Sequence, residues 1–401
     1  MNRDAIRTRA FAEPEPGTTG IGAAAKAATN WLFSEVLPLW AVVGRDHAHG
    51  GFFEQIGFEG AAIKIPKRCR VQARQVYVFV EAGRIGWNGS WQALADNGLD
   101  FMLDHHLRSD GLMRFKTEVD GAPHDDSVDN YDQAFAIFAL AHAYAVNRDP
   151  RFPLVALAIL AALRRERAHP LGGFFEAIPG RAPLLSNPHM HLFEAALAWL
   201  DVAPTKEWRE LAQEIGVLCQ TRFIDSATGA LREYFQGEWA PRAGEEGQII
   251  EPGHQFEWAW LLARWRDHGG DVDLSVIRGL YAAADANGVD RTRSLALGEL
   301  WMDGSVKDAG ARMWPQTERI KAALAMARLW PEEQARFEAD AVDAWAGVQR
   351  FIFPENRGLF RDKMKADGAF IAEGALASSL FHITCAISEL VRYVNAEASH
   401  D

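Results

Sequence analysis

Glu251-Pro252-Gly253-His254-Gln255-Phe256-Glu257-Trp258-Ala259-Trp260 is the stretch from which the fold of this chain can be read. Proline at the first helical position fixes φ where no backbone donor is needed, so a helix starts here and carries His254 and Glu257 near its first turn. Residues three apart share a helix face, which aims the imidazole and the carboxylate the same way. A proline-started helix with early titratable side chains returns in Asn187-Pro188-His189-Met190-His191 and in Trp314-Pro315-Gln316-Thr317-Glu318.

Working outward, a glycine followed by aromatic or aliphatic residues recurs at Gly51, Gly111, Gly173, Gly229, Gly298 and Gly358, at intervals of 60, 62, 56, 69 and 60 residues. Six copies at so regular a period mark a repeated supersecondary unit that cannot bury its apolar face alone. Each interval holds two segments with apolar residues at helical spacing. The helices after the glycine turns are predicted over 67–85, 126–147, 187–202, 252–267, 312–330 and 374–396. Their partners are predicted over 20–43, 88–107, 150–168, 205–222, 272–288 and 331–352. The first set is apolar all round, as in Ala134-Phe135-Ala136-Ile137-Phe138, and reads as an inner ring; the second is amphipathic and reads as an outer one. The expectation is an all-α chain, an (α/α)6 barrel of six helical hairpins with short β-hairpin loops, forming one domain over 1–401 with a poorly ordered segment at 1–19.

Composition bounds the function. The 401 residues include 14 Trp and 23 Phe, enough for a large core and an aromatic pocket, and the net charge of −12 argues against nucleic acid or an anionic membrane as the partner. Cys69, Cys219 and Cys385 are odd in number and in no metal-like spacing, so they read as buried apolar residues in a reduced compartment. No signal-peptide core and no long apolar span is present, which predicts a cytoplasmic protein.

If the inner helices are parallel, their first turns open at one end of the ring. The polar groups converging there would be Arg74, then Asp129 and Tyr131, Asn187 and His191, His254 and Glu257, Glu318, and His382. The chemistry suggested is proton transfer on a small polar substrate, with histidine as general base and neighbouring carboxylates orienting it. Helix N-termini carry partial positive charge, so histidines there should stay neutral and basic. Arg74 would supply a fixed positive charge, and Trp258, Trp301 or Trp314 an apolar face for a sugar ring.

Other polar residues read differently. His189, His105 and His106 are taken as structural or exposed, and Lys64, Lys67, Arg68 and Arg70 as a solvated lead into a helix, with a phosphorylated substrate as the alternative. His254 and Glu257 have a spacing known in carboxylate-rich metal bundles. No second copy faces them, and Arg74 among the candidates would repel a cation, so no metal and no cofactor are expected.

At these residues the chain resembles the N-acylglucosamine 2-epimerase family. The resemblance is carried by Gln72-Ala73-Arg74-Gln75-Val76-Tyr77, Tyr131-Asp132-Gln133-Ala134-Phe135-Ala136, Asn187-Pro188-His189-Met190-His191, Glu251-Pro252-Gly253-His254 and Trp314-Pro315-Gln316-Thr317-Glu318, in order over most of the chain. It implies the (α/α)6 barrel and metal-independent chemistry through a cis-enediol. Carried over by motif, His254 and His382 look like the acid/base pair, and His191 a substrate-binding or ring-opening residue. Arg74, Asn187, Glu257 and Glu318 look like substrate or orientation residues, with Tyr131 and Trp314 lining the same site.

The reaction stays open at this level. An aldose–ketose isomerase moves one proton between carbons 2 and 1, whereas a 2-epimerase must reprotonate carbon 2 from the opposite face. The expectation is interconversion of D-mannose and D-fructose, by a monomer or a homodimer; the alternatives are a sugar 2-epimerase, a glycoside hydrolase and a non-catalytic sugar binder. A hydrolase needs two carboxylates flanking the scissile bond, and histidines outnumber the acids among the candidates.

Overall fold

The computed structural model describes residues 20–398, so the expectation for 1–19 lies outside them. In chain order the helices are α1 (Ile21–Trp31) and α2 (Leu37–Val42), joined through a π-helical turn, then α3 (Cys69–Arg84), α4 (Trp91–Phe101), α5 (Asn130–Asn147), α6 (Arg151–Arg167) and α7 (Ser186–Val202). They continue as α8 (Lys206–Leu218), α9 (Pro252–Asp267), α10 (Leu274–Asn287), α11 (Met313–Leu329), α12 (Gln334–Gln349) and α13 (Ala377–Glu397). Most of the chain is therefore helical, as its periodicity predicts.

Contacts sort these helices into two sets. α3 packs against α5, α5 against α7, α7 against α9, α9 against α11, α11 against α13, and α13 returns to α3. α4, α6, α8, α10 and α12 each pack on the inner helix before them, and α1 packs on α13. Burial follows composition. Along α9 every residue from Pro252 to Ala263 is buried, whereas α8 buries Trp208, Leu211, Ala212 and Ile215 and leaves its charged face to solvent. Among the described residues, no helix is long and apolar enough to cross a membrane.

Very short antiparallel strand pairs stitch the repeats at one end. Leu184–Leu185, just before α7, pairs with Tyr234–Phe235; Ile249–Ile250, before α9, pairs with Glu299–Trp301; Ala311–Arg312, before α11, pairs with Lys363–Met364. Ala375–Leu376, before α13, pairs with Gln55–Ile56 near the chain's beginning, so the strand pairing closes as the helix contacts do. That pairing also delays the start of α13 from the predicted 374 to Ala377. The start of α5 moves from 126 to Asn130 because the Asp129 side chain accepts from the Tyr131 N–H and caps the helix; Asp129 also binds Arg70 and is structural.

In five of the six repeats one side chain clamps the turn to its inner helix; α13 carries Leu380 at that place. Gln72 accepts from the Phe52 N–H and donates to the Phe52 carbonyl; Gln133 does the same to Met113, Gln255 to Leu231 and Gln316 to Ala296. Each is the fourth residue of its helix. In α7 that place belongs to His189, whose Nε2 accepts from the Phe174 N–H while Nδ1 bonds the Leu185 carbonyl. The clamp on Ala296 corrects the fifth turn: it lies at Ser294-Leu295-Ala296, with Ser294 at φ 57°, while Gly298-Glu299-Leu300 leads into the strand Glu299–Trp301. Displacement of that turn explains the one long interval in the repeat.

Candidate active site

Because the clamps, and before α13 the pairing of Ala375–Leu376 with Gln55–Ile56, set a common register, the sixth residue of every inner helix stands at the same level. These residues are Arg74, Phe135, His191, Glu257, Glu318 and His382. Three residues further along, the next level holds Tyr77, Phe138, Glu194, Trp260, Lys321 and Cys385. A cavity of about 180 Å³ opens at the upper level, lined by Arg74, Tyr131, Asn187, His191, His254, Glu257, Trp314 and His382, with Glu251, Arg312, Ser378 and Ser379 completing the wall. Eight of the nine residues proposed from sequence meet in that cavity. The ninth, Glu318, is fully buried behind His382 and does not line it.

His254 sits in an acidic cradle. Its Nδ1 lies 2.9 Å from Glu233 Oε2 and 3.7 Å from Glu251 Oε2. Burial alone would favour the neutral ring, but Glu233 and Glu251, with Glu257 further off, push its pKa up to about 10. His254 is thus an imidazolium, which corrects the expectation that histidines at these helix starts stay neutral: two carboxylates within 4 Å outweigh a helix terminus. Burial pushes Glu251 up to about 7, with His254 opposing and Glu233 reinforcing the shift.

His382 is the opposite case. Its Nδ1 lies 2.8 Å from Glu318 Oε1, yet burial first, then Arg74, Lys321 and His191, hold its pKa well below the ordinary value. His191 pairs through Nδ1 with Glu194 Oε2 at 3.1 Å, and burial draws it down to about 4 against that carboxylate's pull. Both rings are neutral at physiological pH. Trp314 lies between the two kinds of histidine, its ring centroid 5.0 Å from that of His254 and 5.7 Å from that of His382. Gly253 makes this possible, since a Cβ there would meet the Trp314 ring at 2.5 Å.

Arg74 donates from Nη2 to the Tyr131 hydroxyl at 2.5 Å and from Nη1 to the Ser378 carbonyl at 3.3 Å, with its guanidinium 4.2 Å from the centre of the Phe135 ring. Its Nε, Asn187 Oδ1 and both Glu257 oxygens are buried without a protein partner, so they are the groups with bonds left to give a ligand. Burial first, then Glu318 and Glu194, raise the Glu257 pKa well above the usual range against Lys321 and His254, so it stands as a carboxylic acid able to donate.

Several expectations resolve outside the cavity. Trp258 is core, stacked 5.6 Å from Phe193, and Trp301 lies under Lys307 on a strand, so of the three tryptophans Trp314 alone faces the site. Of the basic run, Lys64 is exposed as a solvated lead would be, whereas Lys67 is fully buried on Asp46 and two carbonyls, Arg68 binds Glu54, and Arg70 binds Asp129 and Asp132. The last three cations are engaged by carboxylates. His106 is buried and bonded through Nδ1 to the Arg114 carbonyl, a structural role like that of His189.

Sequence reasoning missed Glu233, Glu251, Arg312, Glu194 and Lys321. Glu233 carried a signal in the repeat. It stands two residues beyond the bridge residue Leu231, as Glu54, Glu176 and Asp362 stand two beyond Phe52, Phe174 and Phe360, so the turns deliver an acid at a common place. Among the described residues, three groups could gather a cation: His191 with Glu194 and Glu257, Glu233 with Glu251 and His254, and Glu257 with Glu318 and His382. In each the histidine Nδ1 faces a carboxylate, and in the last the Lys321 ammonium, 2.5 Å from Glu318 Oε2, already supplies a positive charge.

The sequence profile of N-acylglucosamine 2-epimerase (GlcNAc 2-epimerase) matches residues 51–386. A protein of Rhizobium meliloti (strain 1021) named mannose-6-phosphate isomerase is 44% identical over 366 residues, covering 90% of this chain and 95% of that one. The cellobiose 2-epimerase of Spirochaeta thermophila DSM 6192 superposes with a TM-score of 0.82 at 23% identity, covering 94% of this chain and 98% of that one. A D-mannose isomerase structure superposes at 0.80 with 16% identity, covering 93% and 97%. At such identities the structural likeness speaks for the fold.

Proposed function

The chain belongs to the N-acylglucosamine 2-epimerase family and is an enzyme of the sugar isomerase and epimerase kind, and from that premise we propose that it interconverts an aldose and its ketose, D-mannose and D-fructose, by histidine acid/base catalysis. The closed circuit of inner helices reads as an (α/α)6 barrel in a single domain. One observation carries the mechanism: two cavity-lining histidines whose surroundings drive their charge states apart, His254 protonated and His382 neutral.

His382 accepts through Nε2, the nitrogen not committed to Glu318. It takes the proton from carbon 2 of the open-chain aldose while the carbonyl π pair moves onto oxygen 1, which takes a proton from the His254 imidazolium. The product is a cis-enediol and a neutral His254. That ring then removes the oxygen 2 proton, the carbon 2 carbonyl forms, and His382 returns its proton to carbon 1. Protons and electrons balance with no redox partner. Arg74 and the Glu257 acid hold substrate oxygens, His191 assists ring opening, and Trp314 covers the sugar face between the two histidines.

The isomerase reading is supported by the name of the 44% identical relative. A 2-epimerase reading draws on the same histidine pair, since one neutral and one protonated ring on either side of carbon 2 would invert it. Incubation with D-mannose in heavy water, followed by NMR, separates them: fructose is expected, with deuterium at carbon 1 to the extent that the His382 proton exchanges with solvent before its return, glucose deuterated at carbon 2 would establish the epimerase, and no conversion of mannose or mannose 6-phosphate would remove both.

A further inference from the structure

Lys321 is fully buried in the interior of the ring, one level below the cavity, on the helix that carries Glu318. Its ammonium lies 2.5 Å from Glu318 Oε2 and 3.9 Å from the centre of the Trp260 ring. The other oxygen of Glu318 holds His382 Nδ1 at 2.8 Å. Lys321, Glu318 and His382 thus stand in series, an ion pair followed by a hydrogen bond, and Lys321 does not line the cavity.

The neighbours around the ammonium come from every element packed on it. Glu318 shares α11; Glu257 and Trp260 face it from α9; His382 and Cys385 face it from α13; Glu194, bound to His191, faces it across the ring from α7. Three buried acidic side chains thus surround one lysine, and Arg74 on α3 is the other cation acting on His382. A carboxylate in so dry a place would otherwise take up a proton. Were Glu318 protonated, its hydroxyl would donate to Nδ1 of His382 and move the ring proton to Nε2, the atom that must accept from the substrate. The relay therefore decides the tautomer as well as the charge.

We propose that Lys321 is a positioning residue of the isomerase or epimerase reaction: by holding Glu318 as a carboxylate it fixes His382 as a neutral ring with the proton on Nδ1 and a free Nε2. The inference rests on the functional reading above for its kinetic consequence, and on the geometry alone for the state of the ring.

The test has an arm for each. In the folded wild-type protein, 15N NMR of the histidine side chains at neutral pH is expected to show His382 protonated at Nδ1 and bare at Nε2. Imidazolium or the opposite tautomer overturns the proposal whatever the enzyme turns over. In the Lys321→Met protein, or Lys321→Gln if methionine does not fold, kcat on mannose is expected to fall on the order of tenfold or more with KM little changed, as for other residues that orient a catalytic group. Without the ammonium Glu318 takes up a proton and donates it to Nδ1, so 15N NMR of the folded neutral variant is expected to show the His382 ring proton moved to Nε2. Lys321→Arg retains the wild-type tautomer. A folded neutral variant with an unchanged His382 tautomer sinks the relay. Absence of turnover in the wild type removes the functional reading and leaves the NMR arm to decide this one.

Discussion

His254 Nδ1 lies 2.9 Å from Glu233 Oε2, and that oxygen also accepts from Ser186 Oγ at 3.1 Å, so Glu233 ties the start of α9 to the start of α7. Glu233→Gln keeps the shape and removes the charge. As a general acid, His254 must be protonated, and kcat/KM falls as pH rises through its pKa of about 10. Losing the charge of Glu233 lowers that pKa, so the alkaline limb should move to lower pH by about one unit or more. A pH–rate profile of the variant with an unmoved alkaline limb would place the acid elsewhere.

His382→Asn should leave the fold intact and cut turnover on the order of 10² to 10⁴-fold, the usual contribution of a positioned base. Proton exchange at carbon 2 in heavy water should disappear with it, while sugar affinity by calorimetry stays close to the wild type. Retained exchange would move the base to another residue, His191 first.

Much of this site was open to sequence reasoning because position in a repeat is a local property. Gln72, Gln133, Gln255 and Gln316 stand at one place in four helices, and Arg74, His191, Glu257, Glu318 and His382 follow each helix start by a constant step. Charge state was not open to it. His254 is the third residue of its helix and His382 the sixth, and neither address gives the charge: Glu233, from a turn before α9, and Glu251 charge the one, while burial, then Arg74 and Lys321 from two other helices, keep the other neutral. Such pairings are chosen by the closure of the ring. The glycine pattern misled at Gly298 for a related reason: Ser294 adopts the positive φ that glycine supplies in several other turns.

His189 makes a stability prediction. Burial holds its pKa near 4 against the Leu185 hydrogen bond, and His106, likewise buried, is also near 4; the ordinary value is 6.5. The unfolded chain binds these protons first, so each ring adds stability that is fully present above about pH 6.5 and is lost as pH falls toward 4, on the order of 2–3 kcal/mol apiece. His254 has the opposite shift and contributes nothing to this slope, since it stays protonated in both states below pH 6. These rings therefore lower Tm as pH falls from 6 to 4, while His254, whose raised pKa favours the folded state at low pH, lowers it as pH rises from 7 toward 10. His189→Gln installs the residue that four other repeats use as the clamp. It should cost within about 1 kcal/mol at pH 7 and remove this ring's share of the acid loss, whereas His189→Ala leaves the Phe174 N–H unpaired at about 1–3 kcal/mol, plus a cavity. Melting curves of both variants across pH decide it.

Arg74 is held from two sides, by its bond to Tyr131 and by the Phe135 ring beneath its guanidinium. A lysine offers a point charge without the planar face or the fork, so Arg74→Lys should not behave as a conservative change. It should lower kcat/KM by about 10²-fold, in the range seen on removing one donor to a developing oxyanion. Tyr131→Phe removes the hydroxyl that orients the guanidinium and should cost less, about tenfold. If the two act as a unit, the double variant should be little worse than Arg74→Lys alone, because orientation has no value once the group to be oriented is gone. Additive losses in that cycle would mean that Tyr131 meets the sugar independently of Arg74.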